Sequence, residues 1–301
     1  MKITTWNVEN LFILMDKYSG EDLSEISNNE WESFSTSFTH KNKNLGKLYD
    51  LAKVIEDIDS DIYILQEVGG KESLKNLNKY FLDDKYHYFI NEGNSSRGIA
   101  IGYLVHKRLF EKYKFEFKSN RNLRLSNGHK IRRDIPRLKV IEKESEIIKY
   151  IFLGVHLKSQ RRSDSGSNGM DIREMEIELL DFYMKAVENK YKAPVFVGGD
   201  FNIDFTSDEK YNFYNNMINF HDLKKSTTEE RCSHIFFGTH RVLNQMDYLL
   251  TRKCNKSLIN IDESYNYRYF NEYGDNMGLA DSFYERSLYP SDHYPVIIKL
   301  K

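Results

Sequence analysis

Asp200 and Asn202 stand two positions apart, just past the apolar run Val195-Phe196-Val197 and a pair of glycines, Gly198 and Gly199. If the backbone stays extended there, both side chains leave on one face. A carboxylate only accepts hydrogen bonds, whereas an amide donates and accepts, a pairing suited to holding a water against a phosphate. The same residues could simply close a turn, with the two glycines ending the strand and letting the chain bend sharply. Other polar residues recur in the same kind of place. Asn7 follows Ile3 to Trp6, Glu67 follows Ile62 to Leu65, His156 follows Ile147 to Val155, Asp247 opens Tyr248-Leu249-Leu250, and Asp292-His293 precedes Val296 to Ile298. A Glu at the end of an apolar strand is a poor core residue unless something pairs with it. Asn7, Glu67, His156, Asp200, Asn202, Asp247, Asp292 and His293 together suggest one cleft at one edge of a sheet sandwich. Oxygen and imidazole donors without cysteine fit a hard cation, Mg²⁺ or Mn²⁺, better than a thiolate zinc site.

These residues need strands to carry them. Besides the runs above, Tyr86 to Ile90, Ile99 to Val105 and Leu138 to Ile141 read as strands, the last joined to the strand after it by a hairpin turn at Glu142 to Glu146. Apolar residues at helical spacing predict helices over Asn44 to Ile58, Lys71 to Phe81 and Asp171 to Asn189, the last with Ile172, Met175, Leu179, Phe182 and Ala186 on its buried stripe. Leu14 to Lys43 is polar and weakly periodic and reads as a long surface excursion, Arg161 to Gly169 as a mobile loop, and Thr206 to Thr228 as partly helical. Ser257 to Leu288 gives no clear pattern. Many strands with a few helices imply two packed sheets with helices outside.

With 301 residues, 40% hydrophobic and 30% charged, the chain has the composition of a globular protein with a large core. Only four prolines occur and no Pro/Gly/Ser-rich linker divides it, so one domain over 1–301 is expected. No apolar run is long enough for a membrane span. The first residues enter a strand pattern at once, without a signal-peptide core, although a removed leader leaves export open. Cys232 and Cys254 cannot make a disulfide scaffold, and a reducing, cytoplasmic setting is the simpler reading. The net charge of −1 is unevenly spread: Lys107 to Lys143 holds thirteen Lys/Arg against four Asp/Glu. Such a belt either solvates a surface or forms a phosphate-binding face.

In order along the chain, Thr5-Trp6-Asn7-Val8-Glu9-Asn10-Leu11-Phe12, Leu65-Gln66-Glu67-Val68, Arg97-Gly98-Ile99-Ala100, Val155-His156-Leu157-Lys158-Ser159, Gly198-Gly199-Asp200-Phe201-Asn202, Met246-Asp247-Tyr248 and Ser291-Asp292-His293-Tyr294-Pro295-Val296 resemble the motifs of the endonuclease/exonuclease/phosphatase superfamily. The resemblance spans nearly the whole chain and singles out no member. It implies a deoxyribonuclease I-like fold: an α/β four-layer sandwich of two packed, mostly antiparallel β-sheets flanked by helices. It also implies Mg²⁺-dependent hydrolysis of a phosphate ester. By matching block, Glu67 resembles the main metal ligand, and Asn7, Glu9 and Asp292 resemble metal or neighbouring groups. Asp200, with Asn202 beside it, resembles the residue that orients or deprotonates the attacking water. His293 resembles the phosphate-binding imidazole, oriented by Asp247, and His156 a second one. The family often carries an arginine before its mid-chain strand that contacts phosphate; Arg133 and Arg137 both lie near that place. Lys158, Arg161 and Arg162 are either further phosphate contacts or solvated surface. His40, His87, His106, His129, His221, His234 and His240 have no comparable setting.

Three functions follow. A nuclease acting on DNA or RNA would use the basic belt to hold a polyanion. A phosphoesterase for a small molecule or lipid, of the inositol polyphosphate or sphingomyelin type, is compatible with near-neutral charge. An idle binding module would have lost Glu67, Asp200 or His293, and all are present. The nuclease is the leading expectation, with a nucleic acid as substrate and no protein partner inferable.

Overall fold

The computed structural model describes residues 1–18, 20, 23, 25–35, 37, 39–159, 169–206 and 211–301. In chain order the strands are β1 (Lys2–Leu11), β2 (Ile62–Val68), β3 (Tyr86–Ile90), β4 (Ala100–His106), β5 (Tyr113–Lys118), β6 (Arg137–Glu142), β7 (Ile148–His156), β8 (Val195–Asp200), β9 (Met217–Ile218), β10 (His234–Phe237), β11 (Arg241–Asn244), β12 (Asp247–Arg252), β13 (Ile259–Asn266) and β14 (Val296–Leu300). The first four helices are α1 (Asn28–Ser33), α2 (Leu45–Ile58), α3 (Gly70–Phe81) and α4 (Gly169–Tyr191).

Two six-stranded sheets run in the orders β13-β14-β1-β2-β4-β3 and β5-β6-β7-β8-β12-β9, and β10-β11 form a separate hairpin. Within each sheet one neighbouring pair is parallel, β1 with β2 and β7 with β8; the other pairs are antiparallel. The sheets face each other across Ile3, Ile62, Ile64, Tyr103, Phe152, Phe196, Leu249 and Ile298. Helices α2 and α3 cover the outer face of the first sheet, and α4 the outer face of the second. The expected four layers are therefore present.

The helices form where their apolar spacing predicts. Helix α2 starts at Asn44, whose side chain accepts from the Lys47 N–H, and stops at Asp59 in the left-handed conformation. Helix α4 has a different buried face from the expected one. Ile172, Arg173, Glu176, Ile177, Leu180, Met184 and Val187 are buried, while Phe182 is 71% exposed and Ala186 is exposed. Two charged residues on the buried face displace the stripe that hydrophobicity alone suggests.

Gly198 and Gly199 do not turn the chain; β8 continues through both to Asp200. They are there for packing. A Cβ on Gly198 would lie 2.7 Å from Leu249 Cδ2 and 2.8 Å from Ile64 Cδ1, and one on Gly199 1.9 Å from the Val155 carbonyl oxygen. Gly199 also has φ +153, within the range that favours glycine. The stretch 14–43 is not a surface excursion either: Met15, Leu23 and Trp31 join the outer core, and the Trp31 indole donates to the Lys43 carbonyl (2.8 Å). The polar loop expected at 161–169 lies outside the described residues up to 168, as do Arg161 and Arg162; Gly169 opens α4.

Candidate active site

Each parallel pair ends its strands side by side, and these ends carry the polar residues. In the first sheet Asn7 of β1 pairs with Gln66 of β2. The register then slips, and Glu67 takes a left-handed φ of +62, as do Glu9 (+49) and Asn10 (+50). Such irregularities re-aim side chains that a regular ladder would bury. In the second sheet His156 of β7 lies opposite Asp200 of β8, and Asp200 lies opposite Asp247 of β12. His293 enters from the turn before β14; its N–H donates to Ser291 Oγ (3.1 Å), and that hydroxyl donates to the Asn7 carbonyl (2.6 Å).

Asp200 is buried. Its carboxylate accepts from Asn7 Nδ2 (3.1 Å), from the Asn202 N–H (2.8 Å) and from Asn202 Nδ2 (3.0 Å). Burial, reinforced by the facing Asp247, pushes its pKa up to about 7, against the pull of His293 and the hydrogen bonds from Asn202 and Asn7. His293 Nδ1 is 2.7 Å from Asp247 Oδ2. Burial alone would lower the His293 pKa, but Asp247, and then Asp292 and Asp200, raise it well above the ordinary value, so the ring is an imidazolium at neutral pH. Met246 and Asp247 both donate their N–H groups to Ser233 Oγ (2.9 Å each). Trp6 Nε1 (2.9 Å) and the Tyr269 hydroxyl donate to the His293 carbonyl, fixing the imidazole's backbone.

His156 Nε2 sits between two carboxylates, 3.5 Å from Asp200 Oδ2 and 3.8 Å from Glu67 Oε1. Its pKa is nevertheless held well below the usual value, first by burial and then by Arg133, His293 and Arg97, which keeps this second imidazole neutral. Glu67 is buried. It accepts the Asn10 N–H (3.1 Å) and a two-pronged contact from Arg97, Nη1 to Oε1 and Nη2 to Oε2, both 3.1 Å. Asp292 lies with one oxygen 3.9 Å from His293 Nε2 and the other 3.9 Å from His234 Nε2. Burial would raise its pKa, but His293, His234, Arg286 and Lys43 hold it below the usual range.

Glu9 and Arg137 stand apart from this group. The Glu9 carboxylate is 3.7 Å from both Lys43 Nζ and Lys47 Nζ. The Arg137 guanidinium lies 4.8 Å over the Tyr191 ring at the end of α4. Arg133 is the arginine at the site: its Nη1 donates to the carbonyls of His156 (3.3 Å) and Leu157 (3.0 Å). The Lys158 N–H donates to Glu176 Oε2 (2.7 Å), and Arg173 Nη1 donates to the Asn202 carbonyl (2.9 Å), so the two buried charges of α4 grip the chain beyond His156 and Asp200.

Several of these groups escape the sequence reading. Nothing in the sequence marks Lys43, a buried lysine whose pKa burial lowers to about 8. His234 sits with its ring 4.7 Å from that of His293, brought there by a hairpin that the pattern does not reveal. Arg173 and Glu176 do leave a signal, as charges three apart inside an otherwise apolar helix face.

A hard cation is compatible with this donor set. Two clusters among the described residues bring potential ligand atoms within 4.8 Å of one another, Asp200, Asp247 and His293, and His234, Asp292 and His293. Their oxygen donors are Asp200, Asp247 and Asp292; the His293 imidazolium has no lone pair to offer, and Glu67 belongs to neither cluster. Asp247 Oδ1 is buried without a hydrogen-bond partner among the described residues. The Cys232 thiol donates instead to the His234 carbonyl (3.5 Å), and burial raises its pKa to about 11, away from thiolate ligation.

The sequence profile of the Endonuclease/Exonuclease/phosphatase family matches residues 4–293. The chain belongs to this family. Similar solved structures include D. rerio TDP2 complexed with single strand DNA product (TM-score 0.63, 14% identity, covering 100% of this chain and 98% of that one). The human Nocturnin catalytic domain with bound sulfate is also similar (0.59, 14%, 100% and 94%). A third is a mannosyl-6-phosphatase from Bacteroides thetaiotaomicron (0.54, 14%, 100% and 99%). No curated protein matches the sequence. At these identities the likenesses show the fold, two mixed six-stranded sheets flanked by helices. Family membership makes the chain a hydrolytic phosphoesterase, of a family whose enzymes generally use divalent metals. No described helix is long and apolar enough to cross a membrane.

Proposed function

We propose that this family member is a Mg²⁺-dependent phosphodiesterase that hydrolyses DNA or RNA by attack of water, its whole length forming one catalytic domain. The observation that carries the chemistry is the facing pair of Asp200, a buried acid with pKa about 7, and the Asp247–His293 dyad, a buried imidazolium. Acid and base environments pushed apart within one cleft divide the roles of proton acceptor and charge stabiliser.

Asp200 accepts the proton of the attacking water, which Asn202 helps to align. The Asp200 oxygens are already aimed by Asn7 and Asn202, so little reorganisation is needed at the moment of reaction. His293 presents its imidazolium to the phosphoryl oxygens as negative charge develops there, and Asp247 keeps it protonated and oriented. His156, neutral and wedged between Glu67 and Asp200, is a second phosphate-side donor. Arg133 stiffens the backbone beneath it and adds positive charge. Glu67 would hold the cation, with Asp292 and Asn7 as the other oxygen donors and Glu9 as an outer neighbour. When bound, a divalent ion supplies neutralisation of the phosphate and a lower pKa for its water.

The choice of nucleic acid rests on Arg132 and Lys158 beside Arg133, and on the DNA product in the D. rerio relative. A second reading, a small phosphate ester, draws on the basic belt itself. Much of it is neutralised within the fold: Lys107 pairs with Asp84, Arg108 with Asp59 and Asp61, Lys112 with Glu142, Lys114 with Glu146 and Lys139 with Glu116. The mannosyl-6-phosphatase relative belongs to that alternative.

Supercoiled plasmid, single-stranded DNA, RNA, inositol phosphates, sphingomyelin and a sugar phosphate, each with Mg²⁺ and with EDTA, decide between them. The nuclease reading expects Mg²⁺-dependent strand cleavage. Neutralising Arg132 and Lys158 should then raise KM on the polymer and flatten its salt dependence by about one unit per lost phosphate contact. Hydrolysis confined to small esters puts the second reading in its place.

A further inference from the structure

Arg97 belongs to a motif that the chemistry above leaves unused. Its guanidinium takes both oxygens of Glu67 at 3.1 Å, and Nη2 also donates to Asn10 Oδ1 at 2.6 Å. The Asn10 N–H meanwhile donates to Glu67 Oε2 (3.1 Å). The main chain is pinned, since His40 Nε2 lies 3.0 Å from the Arg97 carbonyl oxygen and the His40 ring stacks on Phe12 at 4.4 Å. The Arg97 side chain itself is half-exposed, whereas that of Glu67 is nearly covered. A two-pronged guanidinium contact occupies the carboxylate edge that a hard cation also needs. Beside it, a cleft of about 250 Å³ between Phe12, Leu14, Gly70, Glu92 and Ile99 leaves the side chain somewhere to go.

We propose that Arg97 is a resident, displaceable counter-ion of Glu67. The carboxylate is neutralised by the guanidinium until a divalent cation takes its place, and the arginine then swings off toward the cleft. This rests on the assignment of Glu67 as the main metal-binding group. The exchange keeps a buried carboxylate paired in both states, which avoids the cost of an uncompensated buried charge. It also weakens apparent metal affinity, because every binding event must break the arginine contact. A purely structural pin, tying Asn10 to Glu67, would affect stability alone.

The test is Mg²⁺ and Mn²⁺ binding without substrate, by calorimetry and by Mn²⁺ electron paramagnetic resonance. Arg97→Met should bind the cation more tightly, on the order of tenfold. Arg97→Lys, which keeps the charge but loses the fork, should fall between that variant and the wild type and carries the comparison if the Met variant does not fold. In the wild-type protein the Arg97 Nε–H nuclear magnetic resonance signal, assigned by its loss in the Lys variant, should shift on adding Mg²⁺. Unchanged or weaker cation binding in both variants, or an Arg97 signal indifferent to Mg²⁺, overturns the inference while leaving a metal-dependent enzyme intact. Failure of the wild type to bind either cation overturns it together with the proposed function.

Discussion

Replacing Asp247 with asparagine keeps a side chain of nearly the same size opposite Asp200 but removes the charge behind His293. The carboxylate lies 2.7 Å from Nδ1 and is buried, so no solvent screens the pair. Hydrogen bonds to charged groups contribute about 1.5–3 kcal/mol. Removing the charged partner therefore costs the imidazolium stabilisation of that order and lowers its pKa. The sign follows from the raised pKa of His293. Below that pKa the ring is charged and competent; the variant loses its proton at lower pH, and the alkaline limb of kcat/KM moves toward acid. If that contact is lost in the transition state, the same energy lowers kcat/KM by about ten- to 150-fold. The assay is a pH profile of kcat/KM for the wild type, Asp247→Asn, His293→Ala and the double variant. An alkaline limb that stays in place would refute the argument. So would fully multiplicative losses, because a dyad fails as a unit.

The opposite limb belongs to Asp200. With its pKa raised to about 7, its basic form is populated only above that pH, so kcat/KM should climb through neutrality, and Asp200→Asn should remove both the climb and most of the turnover. Glu67→Gln keeps the side chain's size but not its charge; calorimetry should show lost Mg²⁺ binding alongside collapsed turnover and a retained circular dichroism spectrum. Gly198→Ala drives a Cβ to 2.7 Å from Leu249 and 2.8 Å from Ile64, so denaturant unfolding should show a loss of about 1–3 kcal/mol, whereas an unchanged midpoint would mean that the sheets have room to spare.

The candidate site residues are legible because they break the local rule. Glu67, Asp200 and Asp247 are charged residues attached to apolar runs, where burial without a partner is costly; Glu67 and Asp200 end strands of the two parallel pairs, and Asp247 opens β12, antiparallel to β8, directly opposite Asp200. Residues that act through backbone carbonyls leave a fainter trace. Arg133 and Arg137 look alike in sequence, four positions apart in one basic stretch; only the direction of the chain entering β6 sends one guanidinium to the His156 carbonyl and the other to Tyr191. Strand β5 is hidden for a related reason. Its sequence Tyr-Lys-Phe-Glu-Phe-Lys alternates as an edge strand should, but among so many neighbouring cations the alternation reads as part of a charged belt. Helix α4 misleads most, because hydrophobicity assigns a helix face by what water rejects. Its true buried face holds Arg173 and Glu176 because that face must also grip the chain that positions His156, Lys158 and Asn202. A helix recruited to hold a site gives up part of its apolar stripe to do so. Phe182 left in solvent on the opposite side is the visible consequence.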